Sequence, residues 1–296
     1  MKTDSLQRFI FEHAEIRGEI IHLNQSYQTI MAQQDYPPMV KRLLGEALMS
    51  CTLLTGSLQF EGEVSLQFQG NDDLPLLLVQ CDHHLHIRGF AKFEPQRTDE
   101  AYAEAFLNGK LSLIINAYQQ TQAYQSLVPL FSTSMAENLM SYFAQSEQIS
   151  TRVWLACDEE KTAGMLLQLL PTDDTEEREN FWEYAVKLGE TITESELLNL
   201  DNETILHRLY HETELRLFPE KNIAFRCRCS IEKMKQVLSV LGEQDIQALV
   251  KEKGQVEIHC EFCNSKYAFD PIDVTLLFKT VSHDPSIDAH YLLKKE

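Results

Sequence analysis

Four of the seven cysteines in this 296-residue chain are spaced for metal chemistry. They read Cys227-x-Cys229, a gap of 30 residues, then Cys260-x-x-Cys263. The second pair has the form of a zinc knuckle, in which a strand runs into a tight turn and two thiolates point into one tetrahedron with Zn–S near ~2.3 Å. The first pair is less usual. Two sulfurs one residue apart converge when the backbone between them is extended, because residues i and i+2 then share a face. Four thiolates fill a tetrahedron, so the quartet predicts one bound Zn2+ held by Cys227, Cys229, Cys260 and Cys263.

Such an ion could be a permanent clip or a releasable one. The C-terminal unit spans only about 70 residues, a size at which a core contributes ~3–5 kcal/mol while structural zinc contributes ~10–16 kcal/mol. Losing the metal should therefore unfold it. Arg226, Arg228 and Lys266 flank the cysteines and are expected to favour thiolate, keeping the sulfurs reactive toward oxidants. Oxidising each close pair would remove all four ligands together, so we read the quartet as a redox switch.

The other candidates are weaker. Cys51, Cys81 and Cys157 stand in apolar stretches and read as buried structural thiols. Cys81 with His83, His84 and His86 reads as a surface turn between strands, whose alternation parts neighbouring side chains. His207 and His211 have helical i, i+4 spacing, but Arg208 stands where a metalloprotease needs glutamate. His259 is expected to touch solvent or the outer side of the site. No phosphate loop, dinucleotide fingerprint or nucleophile elbow is present, so neither ATP use nor catalysis is expected.

Elements must bring the two cysteine pairs together. Ile231, Met234, Leu238 and Leu241 predict a helix ended by Gly242, and a second helix ends at Gly254. Val256 and Ile258 form a strand into Cys260, Tyr267-Ala268-Phe269 form its partner, and a final helix runs from Asp270-Pro271 through Phe278. Upstream, residues 6–23 alternate as a long strand or hairpin. Pro37-Pro38 opens a helix, since proline suits a first turn. Strands are predicted at 63–69, 75–81 and 84–91, and a strand pair around FLNGKLSLIINA with Asn108-Gly109 as its turn. Residues 134–146 read as a helix, then TRVWLAC and GMLLQLLP as strand-like runs.

After Pro171 come short amphipathic helices. Asp174 with Glu177 and Thr193 with Glu196 have capping-box spacing, and Gly189 marks a helix end. These helices are too polar to form a core alone and are expected to lie on the first domain through Phe181, Trp182, Tyr184 and Leu188. The fold expected is α+β: an N-terminal core domain of strands and helices over 1–172, an amphipathic helical linker over 173–217, and a small C-terminal four-cysteine zinc redox-switch domain over 218–296.

Composition sets the outer bounds. Hydrophobic residues make up 44% and charged residues 24%, ordinary for a globular chain. No apolar run approaches the ~18 residues of a membrane span, and charges scattered through the N-terminus argue against a signal peptide, so a cytoplasmic protein with no membrane partner is expected. The formal charge is −19, and residues 221–296 contribute nothing to it, with 11 Lys/Arg against 11 Asp/Glu. An acidic body repels phosphate backbones and argues against nucleic acid.

FRCRCS (225–230) and GQVEIHCEFCNSKYAFD (254–270) resemble the bacterial 33 kDa redox-regulated chaperone family (33 kDa chaperonin). AYQSLVPL (123–130), SYFAQSEQISTRVWL (141–155), AGMLLQLLP (163–171) and HRLYHETELRLF (207–218) carry the likeness over nearly the whole chain. Two places depart from it: FSTSMAENL follows the VPL run, and Asn264-Ser265 stands where glycine is usual. Asparagine tolerates the left-handed conformation such a turn needs. The resemblance implies an ATP-independent holdase, inactive when reduced and zinc-bound. Oxidation would form Cys227–Cys229 and Cys260–Cys263 disulfides, release zinc and unfold the C-terminal unit. The linker, with Phe181, Trp182, Tyr184 and Leu188, would then loosen and offer apolar surface to unfolding or oxidatively damaged clients and to a second copy in a homodimer. The residues alone leave two alternatives open: a structural zinc-ribbon adaptor for protein or nucleic acid, and a thiol oxidoreductase using Cys260-x-x-Cys263.

Overall fold

The computed structural model describes residues 4–58, 60–171 and 176–280, and the chain divides into two compact units, Met1–Arg226 and Cys227–Glu296. The first opens with a hairpin, β1 (Ser5–Phe11) and β2 (Ile16–Leu23), then α1 (Gln25–Met31) and α2 (Pro38–Ser57). Strands β3 (Gly62–Gln69), β4 (Leu76–Asp82) and β5 (His86–Lys92) lead to α3 (Asp99–Leu107), β6 (Lys110–Ala117) and β7 (Tyr124–Val128). Next, α4 (Met135–Tyr142) runs into a π-helical turn, Phe143–Glu147, followed by β8 (Thr151–Cys157) and β9 (Thr162–Leu169). Helices α5 (Glu176–Gly189), α6 (Glu194–Asn199) and α7 (Asn202–Tyr210) precede three short strands, β10 (Leu215–Leu217), β11 (Lys221–Asn222) and β12 (Ala224–Phe225). The second unit holds α8 (Ile231–Leu241), α9 (Glu243–Lys253), β13 (Val256–His259), β14 (Lys266–Phe269) and α10 (Pro271–Thr280).

The fold is α+β. One six-stranded sheet runs β10-β1-β2-β9-β8, with β11 also on β1; the other runs β12-β5-β4-β3-β6-β7. Between them lies α2. Leu43, Leu44, Ala47, Leu48 and Cys51 on one side and Met49 and Leu53 on the other are all buried, which requires packing around the helix. Its cluster joins Leu6, Ile21 and Leu23 of the first sheet to Val64, Leu66, Phe68 and Val79 of the second.

The first sheet is covered on its other face as well. Strand periodicity sends Ile21 and Leu23 toward α2, and Ile16, Gly18 and Ile20 the opposite way, onto α5–α7. There Phe9, Phe11, Met165 and Leu167 meet Ala185, Leu197, Leu198, Ile205, Leu206, Leu209 and Tyr210. Phe11 stands edge-on to Phe181 and Tyr210, with ring centroids at 5.6 and 5.1 Å. This double cover explains why every residue of β9 is buried. The chain from α7 to Arg226 is tied to the first unit: β10 and β11 pair with β1, and β12 runs parallel to β5.

Three expectations need correcting or bounding. Residues 99–107 form a helix and not the first strand of a pair, because Thr98 caps the Ala101 amide, acidic residues fill the first turn, and Tyr102, Ala105 and Phe106 supply a buried helical stripe; β6 instead pairs with β3 and β7. Phe181, Trp182 and Leu188 pack against the first sheet's outer core, but Tyr184 is 37% exposed and donates its hydroxyl to Glu212 at 3.3 Å. The proposed capping box at Asp174 lies outside the described residues. The one at Thr193 and Glu196 forms with both reciprocal bonds, and α5 ends at Gly189. Among the described residues no helix is long and apolar enough to cross a membrane.

Candidate metal centre

The second unit has a small core: Met234, Leu238, Ile246, Val250, Val256, Phe269, Val274 and Leu277. Ser230 caps α8 by accepting from the Lys233 amide. Gly242 (φ 94°) and Gly254 (φ 79°) turn the chain at the helix ends in conformations that favour glycine. The antiparallel pair β13–β14 then delivers the knuckle. Past His259, the Cys260 amide donates to Ser265 O at 3.0 Å, and the amides of Cys263 and Asn264 both donate to Cys260 O. Asn264 takes the left-handed conformation, φ 55°. Cys227 and Cys229 lie in an irregular segment before α8 and outside any strand, so their convergence does not come from a ladder.

All four sulfurs nonetheless meet. Each lies within 4.8 Å of the others, with Cys227–Cys260 at 3.6 Å and Cys229–Cys263 at 3.4 Å. Sulfurs bound to one tetrahedral zinc at ~2.3 Å stand about 3.8 Å apart, so the cluster matches that donor set in size and chemistry. Both of these contacts join different sequence pairs, which makes the cluster a staple between the two ends of the helical insert. The thiols titrate unequally. Burial pushes Cys260 well up, aided by the Cys227 thiol, and burial also raises Cys227. At Cys263 burial is outweighed by the Ser265 hydroxyl and amide and by the thiols of Cys227 and Cys229, which bring it down to about 7. A crowded sulfur cluster resists full ionisation unless a cation shares it.

Two participants were missed from the sequence. The Tyr267 hydroxyl donates to Cys229 Sγ at 3.1 Å, and Ser265 Oγ lies 3.2 Å from Cys263 Sγ. The only sequence cue is their position two and four residues past the knuckle. Two of the three flanking cations have partners of their own: Lys266 pairs with Glu257 at 2.7 Å and Arg226 reaches toward His86 at 3.5 Å. The remaining candidates have other surroundings. Cys51 and Cys81 are fully buried and pushed upward by burial, Cys81 to about 12. Cys157 is only partly buried, rises to about 11 mainly through burial, and contacts the Tyr27 hydroxyl at 3.3 Å. His83, His84 and His86 form a ring cluster on the β4–β5 turn, where His86 meets Asp82 at 3.1 Å. His207, His211 and His259 join no metal-binding group among the described residues.

The Hsp33 protein family model matches residues 4–270. The chain belongs to the Hsp33 family. Hsp33 relatives named 33 kDa chaperonin include one from Pseudomonas fluorescens, 41% identical over 98% of both chains. Another, from Pseudomonas syringae pv. tomato, is 42% identical over 97% of this chain and 98% of its own. The crystal structure of the 33 kDa chaperonin (heat shock protein 33 homolog) from Thermotoga maritima is similar with a TM-score of 0.79. It shares 25% identity and covers 93% of this chain and 98% of its own. The protein is thus a member of a chaperone family whose two-unit chain ends in a sulfur quartet suited to a metal.

Proposed function

We propose that the protein is a redox-regulated, ATP-independent holdase, inactive when reduced and zinc-loaded, and that Cys227, Cys229, Cys260 and Cys263 are both the ligands and the switch. The observation that carries this reading is the convergence of four sulfurs from both ends of the insert, in a unit whose core cluster among the described residues is small. Zn2+, when bound, supplies the positive charge that lets all four sulfurs ionise and the crosslinks that so small a core needs.

The chain's own residues do the rest. Oxidation joins Cys227 to Cys229 and Cys260 to Cys263: each pair of thiolates gives two electrons to one hydrogen peroxide, which takes two protons from solvent and leaves as two waters, while the zinc ion is released. These disulfides draw each sequence pair together and give up the contacts that cross between the pairs, and the second unit then loses its frame. Residues 173–217 act as the linker. Its helices cover Phe9, Phe11, Ile20 and Met165, so their loosening offers an apolar sheet face together with Phe181, Trp182, Tyr184 and Leu188 to unfolding clients and to a second copy. A cytoplasmic site of action follows from the reduced resting state.

The test treats the zinc-loaded protein with hydrogen peroxide at an unfolding-promoting temperature and follows zinc release alongside suppression of aggregation of heat-unfolding malate dehydrogenase. The two should rise together. Equal suppression by reduced and oxidised protein rejects the switch, zinc retained under peroxide favours a permanent zinc-ribbon adaptor, and turnover of a dithiol substrate favours an oxidoreductase.

A further inference from the structure

Away from the cysteines, the first unit holds a cavity of about 300 Å³ where the C-terminal end of α2 meets β2, β6 and β7. Leu54, Leu113, Ile115 and Phe143 give it apolar walls. Arg17 and Gln168 stand on one side, and Tyr124, Tyr142 and Glu147 on another. Apolar walls with a few fixed polar groups are the usual make-up of a small-molecule site, and this volume is at the lower end of the ~300–1,000 Å³ range.

The Arg17 guanidinium is held but not neutralised. Its Nε and Nη2 donate to Gln168 Oε1 at 3.0 and 2.6 Å, and Nη1 donates to Ser57 O at 3.3 Å. Both partners are uncharged. Gln168 is itself fixed by donating to Thr151 at 3.2 Å. Three of the five N–H groups are thereby used, leaving one on each Nη as a donor for an anion. Two acidic residues could have quenched this charge. Glu19, two residues along the same face of β2, is buried with Oε2 unpaired, and burial raises its carboxyl to about 8, so it is mostly neutral at pH 7. Glu147, on another wall of the cavity, faces the phenols: its Oε1 accepts from Tyr142 at 2.7 Å and Tyr124 at 3.1 Å.

The backbone at that wall is unusual. Residues five apart align in a π-helical turn but diverge in an α-helix, so the turn at Phe143–Glu147 is what brings Glu147 over Tyr142. Gln148 closes it in the left-handed conformation, φ 54°. The result turns both phenols toward Glu147 and leaves the Phe143 side of the cavity apolar. Such π turns are frequent at binding sites.

We propose that this cavity binds a small monocarboxylate with a single aromatic ring or branched aliphatic body, its carboxylate on Arg17 and its body between Leu54, Leu113, Ile115 and Phe143. The site bridges the two sheets, so occupancy stabilises the first unit by mass action and does not depend on the sulfur cluster.

The test uses the full zinc-loaded chain and 3-phenylpropionate, with calorimetric titration and the thermal midpoint of the first unit as readouts. One-to-one saturable binding and a raised midpoint are expected, with at least tenfold weaker binding of the neutral 3-phenylpropanamide. Arg17→Gln should weaken the acid to the level of the amide. Ile115→Phe, which fills the cavity, should weaken acid and amide alike. No saturable binding of the acid, or equal binding of acid and amide by the native chain, overturns the proposal, and that comparison decides the matter should Arg17→Gln fail to fold. Undiminished acid binding by a folded Arg17→Gln overturns it as well.

Discussion

Tyr267 and Glu19 show how single side chains are set by what surrounds them. The Tyr267 hydroxyl donates to Cys229 Sγ, and partners of this kind orient a metal ligand and typically contribute ~10–100-fold to affinity. Tyr267→Phe is expected to lower zinc affinity by about that factor while leaving the β13–β14 pair intact, read by competition with a chromogenic chelator; unchanged affinity would leave the hydroxyl without a role. Glu19 is the reverse case, a carboxyl whose pKa burial raises to about 8. The folded chain therefore holds a proton that the unfolded chain releases near the ordinary carboxylate range. The stability tied to it is fully present at low pH and is lost as pH rises toward about 8. Glu19→Gln should accordingly gain on the native protein at pH 8.5, by on the order of 2 kcal/mol, and gain little at pH 4.5. Urea unfolding of the first unit at both pH values measures this, and a pH-independent difference would count against it.

Caps and strand edges decide how the elements hold. The Thr193–Glu196 box starts α6, whose Leu197 and Leu198 seal the outer face of the first sheet. Thr193→Ala should cost about 1 kcal/mol and speed amide exchange in α6 more than in α2. Equal acceleration in both would mean that the cap stabilises the unit globally and not this helix. At this scale much was legible. Pro37-Pro38 marks the start of α2 and the alternation of 6–23 marks the first hairpin, because both signals are local and strong. FLNGKLSLIINA misled because Asn-Gly suggests a hairpin, whereas the helix before it is fixed by a cap nine residues earlier and by burial of Tyr102 and Phe106.

For the whole molecule, the sharpest consequence of the proposed zinc reading is uneven stability. The first unit is built on two large buried clusters and the second on one small one. Chelation of the reduced protein is expected to melt residues 227–280 while the two six-stranded sheets persist. Hydrogen exchange by peptide should show loss of protection confined to the second unit at first; a unit that stays protected without metal would remove the basis of the switch.

By itself the sequence determined the four cysteines, the helices and strands around them, the α+β class and the likeness to a chaperone family, since these depend on residue type and short spacing. Only the tertiary structure decided that sulfur contacts cross between pairs, that Tyr267 and Ser265 touch them, that Tyr184 stays at the rim, and that Arg17 faces a cavity. Each of these depends on which distant residues become neighbours. Sheet order and helix packing set those neighbours, and no local pattern encodes either one.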